Sequence, residues 1–324
     1  MASSKRSENL RDRVMIRNRA TSFDAPRPGG RSVFRLKSGD AEPVVHSAGP
    51  LRAATSHEGT TGMTKLATVS YLNAQPLIDG IERETDIEMI RRVPSRLLDT
   101  LESGAANLAL CPVIDFQQST TELEIVPAGA IGCDGPALTV KVFGRSPIEN
   151  LDEIVVDAES HTSVALLRVV MQELHARRPV LLPQTEATGD RAPEAILLIG
   201  DKVIAETPDR EIYKYELDLG EAWRELSNKP FVFATWMTPV GTDLGDLPHR
   251  LDRIRRDNLG RTAEIAERHA AISGWPVDLA ESYLSRNLRY DLNEPELEAI
   301  EDFWARCHEC GIIEEPRPMR LYKG

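Results

Sequence analysis

Three hydroxyl-bearing residues lie within four positions where a predicted strand gives way to a predicted helix. Ser160, Thr162 and Ser163 follow the strand at 153–156 and open a helix at 161–175. Ser160 is a favourable N-cap, and the free N–H groups of a first helical turn attract anions. This arrangement predicts a carboxylate-binding site, with a plain capping sequence as the alternative.

Polar residues also follow other predicted strands. The segment 70–76, Ser-Tyr-Leu-Asn-Ala-Gln-Pro, contains Asn73 and lies at the carboxyl end of the first strand, where open α/β sheets bind ligands. The turn-rich segment 132–136 leads toward the next strands and is a predicted hinge, and Gly200-Asp201 ends another strand. Each segment is also compatible with ordinary turn chemistry. Together they predict polar groups that face one cleft.

The pair Cys307 and Cys310 has the CxxC spacing of metal and redox sites. No second cysteine pair is present to complete a zinc site. A helix that begins at Asn293, with Glu296 to complete a capping box, places Cys307 on its buried stripe. We therefore predict core cysteines, with metal or redox chemistry as the alternative. The sequence also lacks a phosphate-binding loop, GxGxxG, HExxH and GxSxG, so nucleotide binding and the common hydrolase and zinc sites have no support.

Short β-rich runs alternate with helical stretches from Met63 onward. The β-α-β-α-β order of the first part predicts a parallel or mixed sheet covered by helices. A second α/β unit follows, and the chain after residue 247 is predicted to be almost wholly helical. We interpret residues 63–138 as the first part of one lobe, 139–236 as a second lobe and 237–324 as a return to the first. The predicted fold class is α/β, a two-lobe hinged clamp that binds a small molecule in its cleft.

Composition excludes several classes of protein. The 324 residues are 41% hydrophobic and 28% charged, and no apolar run approaches the roughly 18 residues that a membrane span needs. The net charge of −12 argues against nucleic-acid binding, and four cysteines fit a reducing compartment. Residues 1–62 carry an excess of basic residues and lack hydrophobic periodicity. We expect them to be a disordered extension, or to precede the true start at Met63.

Seven segments give the sequence a specific resemblance. In chain order they are VSYLNAQP, ALCPVIDF, IGCDGP, SHTS, LLIGD, DLGEAW and PFVFATW. From Leu66 to Leu321 the chain resembles the MqnA family of menaquinone biosynthesis. The resemblance implies the fold of type II periplasmic binding proteins, a cytoplasmic location and chorismate dehydratase activity in the futalosine route. The implied product is 3-[(1-carboxyvinyl)oxy]benzoate, and the implied reaction uses no metal or cofactor.

The resemblance also implies roles for individual residues. Asn73 matches a functional asparagine of the family, and it must act by hydrogen bonding because an amide cannot take a proton at neutral pH. We expect it to orient the substrate and to stabilise developing negative charge. The enolpyruvyl carboxylate of chorismate is then a candidate base. Ser160, Thr162 and Ser163 are the candidates for one substrate carboxylate. Ser70 and Thr139 are the candidates for the other face of the cleft, and Thr139 stands where a serine is expected in the family.

One alternative for the base and three alternatives for the function remain at this point. His161 is a weaker candidate for the base, and a residue in the first helical turn can also point to solvent. The sister enzyme dihydroxynaphthoate synthase shares the fold, but the SYLNAQP and IGCDGP segments fit the dehydratase better. A transporter's receptor would need a signal peptide or lipobox, which we do not expect here. A non-catalytic sensor on the same clamp is separated from an enzyme by an activity test.

Overall fold

The first strands of the folded region pair with two strands from much later in the chain. In this computed structural model, which describes residues 63–157, 159–184 and 192–324, six strands form one sheet in the order β11-β4-β10-β3-β1-β2. Their bounds are Thr64–Thr68 (β1), Ile87–Arg91 (β2), Leu108–Pro112 (β3), Leu123–Cys133 (β4), Phe231–Pro239 (β10) and Leu288–Arg289 (β11). β1 is parallel to β2 and β3, whereas β10 is antiparallel to β3 and β4. The sheet is therefore mixed, and the predicted extension 1–62 lies outside the described residues.

A second sheet is built from the middle of the chain. Within the described residues it has five strands in the order β7-β6-β8-β5-β9. Their bounds are Val140–Gly144 (β5), Glu153–Val156 (β6), Val180–Pro183 (β7), Ala195–Ile199 (β8) and Tyr215–Asp218 (β9). β6 is parallel to β7 and β8, and β5 is antiparallel to β8 and β9. The sequence analysis missed β9, because its residues lie in a charged stretch without an apolar run.

Helices cover both sheets and form most of the C-terminal part. Their bounds are Gln75–Ile78 (α1), Leu97–Glu102 (α2), Asp115–Gln118 (α3), His161–Glu173 (α4), Lys202–Ala205 (α5), Leu219–Ser227 (α6), Leu247–Leu259 (α7), Thr262–Ser273 (α8), Val277–Ser282 (α9) and Glu294–Glu309 (α10). A π-helical turn, Tyr283–Asn287, follows α9. No helix in the described part of the chain is long and apolar enough to cross a membrane.

The helix α4 shows why a local pattern predicts an element well. Ser160 caps it, since the Ser163 N–H donates to the Ser160 hydroxyl at 3.3 Å. Its apolar residues are buried on more than one stripe, because it packs against α6, β10 and α10. The predicted start of α4 is thus confirmed, and the buried face of the helix is broader than the single apolar stripe that the spacing of its apolar residues predicts.

Two features of the predicted domain organisation differ from the structure. The boundary after Trp236 assigns the strand near 231–236 to the second lobe, but β10 lies between β3 and β4 in the first sheet. β10 pairs with strands about 100 residues earlier in the chain, and such long-range pairing leaves no signal in the local sequence. The helical tail also contains β11, whose two residues pair with β4.

Candidate functional site

A cavity lies where the ends of several strands meet. It is lined by the connection after β1, the start of β5, the first turn of α4, the end of β8, part of β10 and the π-helical turn. Its polar walls come from Tyr71, Asn73, Thr139, Ser160, Thr162, Ser163 and Tyr283. These elements belong to both sheets, so the cavity is the cleft that the clamp fold predicts.

Five of the six predicted site residues line this cavity, and Ser70 does not. The five are Asn73, Thr139, Ser160, Thr162 and Ser163. Ser70 is exposed, while its neighbours Val69 and Tyr71 both line the cavity. Side chains of extended backbone alternate between opposite sides, so Ser70 is directed away from the cleft. The prediction that Ser70 contacts the ligand therefore has no support in this geometry.

Asn73 stands in the short 3-10 turn Leu72–Ala74 that follows β1. Its carbonyl oxygen Oδ1 is buried and has no hydrogen-bond partner among the described residues. A buried polar atom without a partner is costly in a folded protein and is rare outside functional sites. In a cavity-lining residue this acceptor is available to a ligand that donates a hydrogen bond.

The first turn of α4 supplies three buried hydroxyl groups to the opposite wall. The Ser160 hydroxyl donates to the Ser163 hydroxyl at 2.7 Å, and the Ile114 N–H donates to the Thr162 hydroxyl at 3.3 Å. Ser160 and Thr162 are therefore already engaged in capping and in packing against the first sheet. The 13-residue helix directs the positive end of its dipole at the cavity. This wall is suited to a negatively charged group.

Tyr283 is a cavity residue that the sequence analysis did not identify. Its hydroxyl lies 2.6 Å from the Thr139 hydroxyl, and its side chain is completely buried. The ring stacks on Trp275, with ring centroids 4.7 Å apart and an interplanar angle of 19°. Burial raises the pKa of Tyr283 far above its usual range, against opposing hydrogen bonds from Thr139 and Asn73. The phenol is therefore neutral near pH 7.

Asp201 joins the end of β8 to residues around the first sheet. It accepts from the Leu72 N–H at 3.2 Å and from the Trp275 indole N–H at 2.9 Å. Burial raises the pKa of Asp201, against the effect of these hydrogen bonds. Beside it, Gly200 has a φ of +59°, and a Cβ there would lie 3.2 Å from the Tyr71 ring. The predicted LLIGD segment thus closes one side of the cavity.

His161 is turned toward the first sheet. Its Nδ1 lies 2.7 Å from Asp115 Oδ1, and it is not among the residues that line the cavity. This hydrogen bond raises the pKa of His161 despite partial burial, and burial raises the pKa of Asp115. The geometry gives no support to His161 as the base, and it shows the part-buried ring hydrogen-bonded to Asp115 rather than free in solvent.

The CxxC pair lies on α10, away from the cavity. The predicted capping box is present, since the Asn293 N–H donates to Glu296 at 2.9 Å. Cys307 is buried as predicted, and burial raises the pKa of its thiol. In the described residues no group of three or more His, Cys, Asp or Glu side chains is arranged to hold a metal ion. Cys307 is thus a core residue as predicted, whereas Cys310, directly after the end of α10, is only partly buried, so that half of the prediction is wrong.

Comparison with known proteins identifies the family. Residues 64–309, more than half of the chain, match the family model described as menaquinone biosynthesis. The chain belongs to this family. Within it, the chain is 28% identical over 248 residues to a chorismate dehydratase of Thermus thermophilus, a match that covers 72% of this chain and 91% of that protein.

Solved structures confirm the predicted fold class of this family member. Protein AF1704 of Archaeoglobus fulgidus is similar with a TM-score of 0.62 at 16% identity, over 79% of this chain and 100% of that one. The alkanesulfonate-binding protein SsuA of Xanthomonas axonopodis pv. citri has a TM-score of 0.57 at 15% identity, over 78% and 94%. At these identities the likeness concerns the fold alone, which is the two-lobe clamp of periplasmic binding proteins.

Proposed function

We propose that this protein is a chorismate dehydratase that forms 3-[(1-carboxyvinyl)oxy]benzoate and water. Family membership and similarity to a chorismate dehydratase support an enzyme of menaquinone biosynthesis. The observation that carries the proposal is the buried, unpartnered Oδ1 of Asn73, a residue that lines a cavity to which the first turn of α4 contributes its hydroxyls. With this activity we propose a cytoplasmic location, as the sequence resemblance implies.

For this reaction the protein mainly needs to orient the substrate. Chorismate loses its ring hydroxyl and the proton on the neighbouring ether-bearing carbon, and the ring becomes aromatic. Aromatisation drives the reaction, so correct placement and fixed hydrogen bonds are the main contributions of the site. The product plus one water accounts for every atom of the substrate, and no oxidant or reductant is needed.

Two walls of the cavity have different roles in the proposed reaction. The substrate has two carboxylates, and the first turn of α4 is suited to one of them, with hydroxyl donors and the helix dipole. Asn73 orients the ring hydroxyl by hydrogen bonding, and its amide N–H groups stabilise the negative charge that develops as the hydroxyl leaves with the abstracted proton as water. Since Asn73 cannot remove a proton, the enolpyruvyl carboxylate of the substrate is our candidate base. Closure of the two lobes over the substrate would exclude water from the reacting atoms.

Replacement of Asn73 tests this function. We expect Asn73→Ala to lower kcat with chorismate by about 100-fold or more, the order found when one fixed hydrogen bond to a reacting group is lost. Ser70→Ala is the matched control, because it removes a polar side chain three residues away that does not line the cavity. Turnover by Asn73→Ala equal to that of Ser70→Ala contradicts the proposed role of Asn73.

The same assay separates the alternative functions. A sensor or binding protein is stabilised by chorismate and leaves it unchanged. Dihydroxynaphthoate synthase activity also leaves chorismate unchanged, because that enzyme uses a different substrate. Either result with the unsubstituted protein rules out the dehydratase.

A further inference from the structure

We infer that Asp201 is a positioning residue of the proposed reaction: from the end of β8 in the second sheet, it caps the turn that carries Asn73 after β1 of the first. This inference rests on the proposed function and adds a residue to it. Asp201 does not line the cavity, so it acts on the reacting atoms only through the backbone beside Asn73.

The turn that carries Asn73 has no cap from its own segment. The first N–H groups of a helical turn have no partner within the turn. The residue at the N-cap of the 3-10 turn Leu72–Ala74 is Tyr71, and its side chain makes no capping hydrogen bond. Leu72 is completely buried, so its N–H group is out of reach of water. This N–H therefore needs an acceptor from elsewhere in the protein, because a buried donor without a partner is costly.

Asp201 supplies this acceptor from 129 positions later in the chain. The Leu72 N–H donates to Asp201 Oδ2 at 3.2 Å and to Oδ1 at 3.4 Å. A hydrogen bond from a backbone N–H to a carboxylate is charge-assisted and is stronger than one between neutral groups. Because Leu72 directly precedes Asn73, the contact fixes the backbone from which the Asn73 side chain extends. The corner after β8 thus sets the position of a residue that follows β1.

The neighbours of Asp201 hold the same segment of the first lobe. A Cβ at Gly200 would lie 3.2 Å from the Tyr71 ring, so this ring packs closely against the Gly200 backbone. Lys202 donates to Glu159 Oε2 at 3.1 Å, and the Tyr71 hydroxyl donates to the same oxygen at 3.2 Å. Three consecutive residues of this corner therefore hold the start of the turn, either directly or through Glu159.

The Asp201 carboxylate is itself fixed by a second donor. The Trp275 indole N–H donates to Asp201 Oδ1 at 2.9 Å, and the Trp275 ring stacks on Tyr283. The two carboxylate oxygens thus serve two donors from different parts of the chain. In Asp201→Asn the amide oxygen can keep the indole contact, and the NH₂ group then meets the Leu72 N–H donor to donor. Asparagine therefore keeps the shape of the side chain and loses the cap.

Asp201→Ala and Asp201→Asn both remove the cap. We expect kcat with chorismate to fall on the order of 10- to 100-fold in each, because a small displacement of a group that contacts the reacting atoms is enough for such a loss. KM is expected to change less than about threefold, since the hydroxyls of α4 are untouched. Glu102→Gln is the matched control, because Glu102 also accepts from a backbone N–H of another segment, that of Thr120 at 2.6 Å, and does not line the cavity. We expect Glu102→Gln to keep its kcat.

A double-mutant cycle tests whether Asp201 acts through Asn73. In a protein that already carries Asn73→Ala, we expect Asp201→Ala to change kcat by less than about twofold, because residues that act as a unit have non-additive effects. A general structural role predicts the same fold loss in both backgrounds, and that result overturns the inference. A wild-type kcat in Asp201→Ala, or a raised KM with unchanged kcat, overturns it as well.

A second readout does not depend on turnover. The ¹H–¹⁵N signal of the Leu72 backbone amide reports the capping hydrogen bond directly. We expect this signal to shift and its proton to exchange faster with water in Asp201→Ala and Asp201→Asn, and both to stay unchanged in Glu102→Gln. Absence of chorismate turnover by the unsubstituted protein refutes the proposed function alone. An unchanged Leu72 signal in Asp201→Ala refutes the positioning role, whatever the substrate.

Discussion

Asp218 holds the chain segment that leads from β4 of the first sheet to β5 of the second. Its replacement by asparagine tests this role. It ends β9 and caps α6, and its Oδ1 accepts from the N–H groups of Ala137 at 2.8 Å and Gly220 at 2.9 Å. Its Oδ2 accepts from the Leu138 N–H at 2.8 Å. Leu138 has a φ of +65°, an unfavourable conformation for a leucine. Asp218 therefore holds a strained segment directly before Thr139.

The expected cost follows from these contacts. In Asp218→Asn one carboxylate oxygen becomes an NH₂ group, which meets the Leu138 N–H donor to donor. Loss of a hydrogen bond to a charged group costs about 1.5–3 kcal/mol, and the donor left behind is part-buried. For a folded body of this size, 1 kcal/mol corresponds to about 2–4 °C in Tm. We therefore expect Tm to fall by about 3–12 °C.

Thermal unfolding followed by circular dichroism measures this change. Asp246→Asn is the matched control, because Asp246 also precedes a helix but its side chain is 76% exposed and caps no N–H group in the described part of the chain. Its i,i+4 ion pair with Arg250 is worth about 0.3–0.5 kcal/mol, so its Tm is expected to stay within about 2 °C. Equal Tm values for the two variants would refute the reasoning.

Two further predictions concern packing and pH. Gly220→Ala is expected to lower the free energy of unfolding by about 1–3 kcal/mol, because its Cβ would lie 2.6 Å from Cys133 Sγ and overpack the core. Gly260→Ala is the control, since the nearest atom to its Cβ would be 3.4 Å away. Equal unfolding free energies for the two variants would contradict this prediction. Asp115 raises the pKa of His161, so the stabilisation from this pair is complete below the unfolded histidine pKa of about 6.5 and is lost as pH rises through the raised value. The unfolding free energy of the wild type relative to Asp115→Asn should therefore fall as pH rises above about 6.5 in urea titrations, and a difference that grows with pH would contradict the assignment.

Local chemistry explains which parts of the molecule the sequence could predict. The starts of α4 and α10 depend on capping residues a few positions apart, and both helices begin as expected. The polar strand ends were also predictable, because parallel strands bring their carboxyl ends to one edge of a sheet. Asn73 follows β1 of the first sheet, the hydroxyls of α4 follow β6 of the second, and both strand ends reach the cavity.

Long-range contacts explain what could not be predicted. Tyr283 contacts Thr139 across 144 positions of the chain, and its own segment has the pattern of an ordinary amphipathic helix. The membership of β10 in the first sheet depends in the same way on distant partners. The position of Ser70 could have been predicted, because side chains alternate along extended backbone and Ser70 lies between the cavity-lining residues Val69 and Tyr71. Asp218 likewise has a glutamate three residues later, a pattern typical of helix starts.

The most direct test of the central claim is incubation of the purified protein with chorismate alone, followed by mass spectrometry and ultraviolet spectroscopy. The account predicts a product lighter than chorismate by one water, with an aromatic absorbance spectrum, and no requirement for an added cofactor or metal ion. Chorismate recovered unchanged, with or without a rise in Tm, would contradict the proposed dehydratase and leave the clamp fold as the established result.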